Sequence, residues 1–411
     1  MIFAVAREAG GLCRLRIEFS AAEVAGVFAE DAGCLEPSDA RLAAERVQEK
    51  LVRGGMAKAL ADAGLEPVCR PSPLGVPPLP RQGAPFAFEA DASVVPDIPL
   101  PAELASLGMP QVDAEPAPLD LQEAYDQLTR RAVSLGEVAE FRVPRPGDVA
   151  DVDVDAEAEG SPLPELHRRK ARRWLGQILP EGLWGPVEKA LFGLRQGESC
   201  ELAFPCPEDH ADPLLRGRPV HAKVVLARLW ERLPKDENTL ARSLGFKDAK
   251  ALRGTAAMRA RGKAAARAFL KAQEILVDSL LEGLDFHVPE GLVAWFLGQA
   301  VQRTELWYAN FQASPGIASR RDKAMALAQR LARPAAVQEA RRHLLLLALA
   351  GRLGLAVSQA ELEEAVRGSL HLGQDAAQAM AWLEEQGELS LRRNALLAGK
   401  ALEALCAGIR S

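Results

Sequence analysis

At 411 residues, with 48% apolar side chains and six cysteines, the chain is too long for one ordinary core and too apolar for disorder, so several domains are expected. A formal charge of −6 with few aromatics and much Ala and Leu gives no basis for nucleic-acid binding and favours helices over sheets. The cysteines (Cys13, Cys34, Cys69, Cys200, Cys206, Cys406) form no C-x-x-C pair and read as isolated thiols of a reducing compartment.

In chain order, residues 1–11 show neither the basic start nor the long apolar run of a secretory signal. Residues 13–19 alternate apolar and polar, as a half-buried strand does. A helix is predicted over 41–63, with Ala44, Val47, Leu51, Ala57 and Leu60 at helical spacing and Gly64 as its stop. Residues 67–85, dense in Pro and Gly, read as a loop or edge excursion. A short strand at 86–90 and an extended run at 93–101 close an α+β region assigned to 1–112.

A linker over 113–136 carries a helix at 119–134, and a second compact region spans 137–233. Its clearest element is 150–159, where Ala150, Val152, Val154, Ala156 and Ala158 share one face and acids fill the other. A 3.6-residue period would smear both classes around an axis, so this is a strand. A helix at 186–194, a turn at Gly197 and strands at 199–204 and 221–229 complete a small sheet around one helix.

From 234 to 411 nearly every segment reads as helix. Pro289 suits a first helical turn, and Ser358 with Glu361 has capping-box spacing. The greasiest stretch, 344–350, is too short to cross a bilayer. The expected fold class is α+β multidomain: an α+β N-terminal domain, a small antiparallel sheet wrapped on one helix, and a long all-α C-terminal domain with arms. A cytoplasmic protein with no membrane contact is expected.

The order of these regions resembles the trigger factor family, and particular residues carry the likeness. Residues 193–198 (GLRQGE) are similar to the G-x-x-x-G-E turn after the central helix of FKBP-like domains. Residues 148–160 are similar to that family's first long strand and acidic-Gly turn. Phe204 and Pro205, then His210, then Leu215, Arg216 and Gly217 resemble the trigger-factor stretch F-P…H…L-K-G-K. Residues 282–292 (EGLDFHVPEGL) are similar to the junction that opens the family's arms, and the likeness covers 40–405.

The resemblance implies a chaperone that works without nucleotide, cradling unfolded or nascent polypeptides between an N-terminal domain and helical arms, with a concave apolar recess among the C-terminal helices. Burial of client surface there is worth about 25 cal/mol per Å² before association entropy opposes it. No phosphate-cradling G-x-x-x-x-G-K-[ST] loop is present, and no cofactor is expected. Two departures stand out. The family's ribosome-docking loop, G-F-R-x-G-x-x-P, is replaced around 31–37 by an acidic interval without a Phe-Arg pair. A polyanionic ribosomal surface rewards Lys and Arg, so docking by this route is expected to be weak or lost.

The second departure is in the prolyl-isomerase pocket the resemblance implies. Rotation about X-Pro faces a barrier of roughly 18–20 kcal/mol, which a dry aromatic pocket lowers. Alignment puts Val154 at the strand aromatic, Val187 at the floor aromatic, Asp209 at a loop Tyr and Ala222 at a strand Phe. Trp184 and Leu191 are the remaining apolar candidates. Weak or lost isomerase activity follows, with an active FKBP-type isomerase as the alternative and a dedicated assembly or scaffold protein as a further one.

Along 289–312, Val293, Leu297, Ala300, Val301, Thr304, Trp307, Tyr308 and Phe311 fall on one helical stripe. Trp295 and Leu306 lie opposite it and, with Phe296, are candidates for a client or self-association surface, which leaves a homodimer open. The alternative is burial on both sides of this helix within the bundle. The basic face at 258–267, with Arg259, Arg261, Lys263 and Arg267, reads as solvated, with attraction to acidic client segments as the alternative. The six histidines show no H-x-x-x-H pair, so no metal site is expected.

Overall fold

The computed structural model describes residues 1–411 except 32–39, 102–107, 131, 133, 177–181, 234–235, 314–315, 370–374, 386–387 and 411. The acidic interval expected around 31–37, together with Cys34 and His371, therefore falls almost wholly outside the described residues. Two compact units are formed: residues 1–110, 273–299 and 333–411 make one, and residues 111–272 and 300–332 the other.

In the first unit, strands β1 (Ile2–Arg7) and β2 (Leu12–Phe19) pair antiparallel. Helices α1 (Ala21–Asp31) and α2 (Ala40–Asp62) follow, then β3 (Ser72–Pro73) and β4 (Phe86–Ser93). The sheet order is β1-β2-β4-β3. Alternation on β2 and β4 turns Cys13, Leu15 and Ile17, with Phe86, Phe88, Ala90 and Ala92, onto one face, and Val47, Leu51 and Leu60 of α2 cover it. Gly55 lets α2 come close, since a Cβ there would sit 2.9 Å from the Phe19 ring. Gly64, at φ +63°, ends the helix in a backbone conformation that side chains resist.

The second unit opens with α3 (Pro118–Thr129), which has Pro in its first turn; the Ala117 N–H donates to Asp120 at 2.9 Å. Then come β5 (Leu135–Glu137), β6 (Val149–Ala158), β7 (Ser161–Pro162), β8 (Arg168–Trp174), α4 (Trp184–Leu191), β9 (Ser199–Pro205) and β10 (Pro219–Arg232). The six-stranded sheet runs β5-β10-β6-β7, with β8 on β6 and β9 on β10, all antiparallel. A register shift at Leu226/Arg228 bends the long β10. Val152, Val154, Val224 and Leu226 of the sheet meet Val187 and Leu191 of α4 in one buried cluster. Each such fully buried side chain contributes about 1.5–3 kcal/mol.

The remaining elements are helical: α5 (Glu237–Ser243), α6 (Ala249–Leu281), α7 (Glu290–Phe311), α8 (Arg321–Arg352), α9 (Gln359–Gly368), α10 (Ala376–Glu385) and α11 (Leu389–Arg410). The fold class is thus α+β, with antiparallel sheets and a helical C-terminal region. At α9 the Ser358 hydroxyl and the Glu361 carboxylate cap each other's backbone N–H reciprocally. The basic face of α6 is not merely solvated: Lys263 reaches Glu123 at 2.8 Å and Arg267 reaches Asp120 at 2.9 Å, both on α3. Ala256 and Ala260 pack on Ala124 beneath them. Among the described residues no helix is long and apolar enough to cross a membrane.

Candidate functional site

A recess of about 790 Å³ opens in the first unit between the C-terminal half of α2, the segment 64–73 and the start of α11. Gly64 releases the chain from α2 into a run containing Pro67, Pro71 and Pro73. These prolines carry no N–H, so that wall asks for fewer hydrogen-bond partners than ordinary backbone would. Val52, Met56, Leu60, Leu65 and Leu389 give it apolar surface. Arg53, Arg70 and Arg393 stand with Glu49 and Glu66 among its polar lining; Arg53 pairs with Glu49, and Arg393 lies 4.0 Å from Glu66. Buried Asn394 donates to the Pro67 carbonyl at 2.9 Å and ties α11 to the loop. A recess was expected among the C-terminal helices, with the N-terminal domain sharing in the cradle. This one takes most of its lining from the N-terminal helix and loop, because α11 packs beside segments more than 300 residues earlier in the chain.

On α7, Trp295 and Phe296 are half-buried and meet edge to face at 4.7 Å, and both rings stand near His343 of α8, at 6.4 and 5.7 Å. Burial pushes the His343 imidazole down to about 4, so it is neutral at physiological pH. Trp295 is therefore a packed residue with one partly wet side. Leu306 is 55% exposed on the same helix.

The six residues aligned with an isomerase pocket do not assemble into one cleft. Val154, Val187, Leu191 and Ala222 all lie in the closed core between sheet and α4. Ala222 also borders a depression of about 610 Å³, where Asp155, Glu157, Glu201, His221 and Lys223 stand among apolar residues such as Pro162 and Leu202. Trp184 packs at the margin of the core, and the Arg173 guanidinium covers it at 3.7 Å from the ring centre. Asp209 is exposed, 3.9 Å from Arg303.

A buried polar network escaped the sequence reading. Tyr308 donates to Asp212 at 2.8 Å, Thr304 donates to the Ala211 carbonyl at 2.7 Å, and Trp307 donates to Glu165. His210 Nε2 lies 3.2 Å from the same Glu165. These bonds fasten the loop between β9 and β10 to α7. Burial alone would raise the Glu165 pKa, but the His210 and Trp307 bonds outweigh it and hold the carboxyl below its usual range. Burial, with Glu165, Asp212, Asp209 and Glu208 around it, pushes the Cys206 thiol up to about 12, which leaves it unreactive. His210 was visible only as part of a motif; nothing in its spacing pointed to Tyr308. Among the described residues no group of His, Cys, Asp and Glu could hold a metal ion.

Fold and site together define an α+β multidomain protein with antiparallel sheets and a helical C-terminal region. The family profile described as "Bacterial trigger factor protein (TF) C-terminus" matches residues 250–407. The trigger factor of Syntrophotalea carbinolica is 26% identical over 253 residues, covering 60% of this chain and 55% of that protein. The trigger factor of Nitratidesulfovibrio vulgaris strain Miyazaki F is 25% identical over 335 residues, covering 79% and 74%. The chain thus spans little more than half of the first relative. A solved structure titled for promiscuous substrate recognition in folding and assembly activities of the trigger factor chaperone aligns over 100% of both chains at 16% identity, with a TM-score of 0.41. The profile match over residues 250–407 and these relatives together support a likeness to the trigger factor family.

Proposed function

We propose that this protein is an ATP-independent folding chaperone of trigger-factor type, cytoplasmic, that holds unfolded or nascent chains with help from the recess beside α2 and α11. The observation that carries this reading is the recess itself. Val52, Met56 and Leu389 are partly open to water there, beside a loop wall that contains Pro67, Pro71 and Pro73. A client side chain placed against Met56 and Leu389 leaves water at about 25 cal/mol per Å², and ordering and association oppose most of that gain. Binding is therefore weak and tolerant of sequence, which suits a holding role.

Isomerase activity is weak or lost in this reading. The positions aligned with pocket aromatics carry Val154, Val187, Asp209 and Ala222, and Arg173 stacks on the one tryptophan nearby. Ribosome docking is weak as well, because the sequence after α1 is acidic where the family is basic. Suppression of aggregation of a denatured model protein tests the main claim. Met56→Asp and Leu389→Asp should each reduce holding severalfold while the thermal midpoint stays near that of the parent, since both side chains are half-exposed. Undiminished holding by both variants would move the client site elsewhere. Strong catalysis in a proline-limited refolding assay would favour the isomerase alternative.

A further inference from the structure

Strand β8 carries five basic side chains, Arg168, Arg169, Lys170, Arg172 and Arg173, in a chain that is acidic overall. Some of them serve the sheet. Arg172 donates to Asp151 at 2.8 Å, and Arg169 lies 2.7 Å from Asp155, both acids on β6. Arg168 and Lys170 are exposed, and neither side chain has a partner among the described residues. The Nε of Arg173 is buried without an acceptor, and burial together with the charge of Arg168 pushes the Arg173 pKa down. Glu188, the carboxylate of α4 that acts on Arg173, accepts the Gly176 N–H at 2.7 Å. This corner of the sheet is short of negative charge.

The strand is also an edge. Among the described residues β8 pairs only with β6, so the backbone groups on its other side have no ladder partner. The register shift between Val152 and Val154 and the φ of +51° at Lys170 interrupt the ladder near its start. A regular edge remains over 171–174, with Arg168 and Lys170 just beyond it.

We propose that the β8 edge is a docking strip for extended, acidic polypeptide segments, which add a strand along 171–174 while their carboxylates meet Arg168, Lys170 and Arg173. Unpaired N–H and C=O groups recognise a peptide backbone and offer nothing specific to a phosphodiester. The acids of β6, Asp153, Asp155 and Glu157, lie one strand away. A single added strand, about 4.8 Å across, stays on the outer side of β8. A wider polyanion would feel the repulsion of those acids. The strip is distinct from the recess of the first unit, so either can fail without the other.

Anisotropy of a labelled peptide of alternating Glu and Val, with the full chain at low and physiological salt, tests this. A Lys–Val peptide, a Glu–Pro peptide of equal charge and a single-stranded RNA serve as competitors. The Glu–Val peptide should bind at least about tenfold tighter than the Lys–Val peptide and weaken with salt. The Glu–Pro peptide, unable to pair along an edge, should bind severalfold worse. Arg168→Glu with Lys170→Glu should erase the acidic preference and leave aggregation suppression unchanged. Equal binding of the two charged peptides, tighter binding of RNA, or an acidic preference that survives the double variant would overturn the proposal.

Discussion

The two ends of α7 bury aromatic side chains in opposite ways. At the N-terminal end Trp295 and Phe296, both half-buried, gather round His343, whose imidazole is neutral. At the C-terminal end Trp307 and Tyr308 sit in a network where donors find carboxylates, Glu165 and Asp212. The same residue types at the same helical spacing thus give a half-wet apolar patch and a hydrogen-bonded polar joint, in which Glu165 Oε2 and Arg320 Nε are still buried without partners. The difference lies in what each end meets. One packs on α8, and the other receives a loop of the sheet domain that brings its own acids.

Truncation should separate the ends most clearly. Trp307→Ala should destabilise by about 4 kcal/mol, and Trp295→Ala by only about half that, in urea unfolding of the full chain, because Trp307 is buried and Trp295 is half-exposed. Equal losses would break the contrast. Asp212→Ala should cost about 3 kcal/mol, because it orphans the Tyr308 hydroxyl and leaves Arg320, now 3.8 Å from that carboxylate, without its charge.

Acid should reach the two ends in different windows. With the His343 pKa depressed to about 4, the unfolded chain binds this proton first. Its contribution is complete above about pH 6.5 and is lost as pH falls from there toward 4, a total of about 3 kcal/mol. Glu165 is also depressed, but its stabilisation belongs to the carboxylate. It persists through the histidine window and disappears only as pH falls through the lower carboxylate range. Unfolding followed against pH in the parent and in His343→Leu should show the upper window removed and the lower one kept. The smallest expected effect is Tyr308→Phe, about 1–1.5 kcal/mol, since it deletes one hydrogen bond and keeps the ring.

Legibility in the sequence followed the same division between local pattern and distant partner. Strand β6 and helix α2 could be read from periodicity, and the Ser358 cap from spacing, because each is decided by neighbours in the chain. Strand β8 could not. Arg168–Trp174 has no apolar alternation, and it is a strand because β6 offers Asp151 and Asp155 across the ladder. The burial of Asp151 was hidden for the same reason, since its partners Arg172 and Trp230 come from two other strands. The stripe on α7 was right for Thr304, Trp307 and Tyr308 but silent on the acids they bind. Trp295 lies off that stripe, yet α8 half-covers it. The recess depends on Met56 and Leu389, and no spacing rule links positions so far apart.

The proline wall beside α2 has one more consequence. A surface with few amide hydrogens to offer has little with which to set the phase of a chain laid against it, so it grips by shape and oiliness alone. A guest could shuffle along it residue by residue without breaking anything directional, and leave as easily as it came. The β8 edge, with its free amides, is the opposite kind of surface: one that can count.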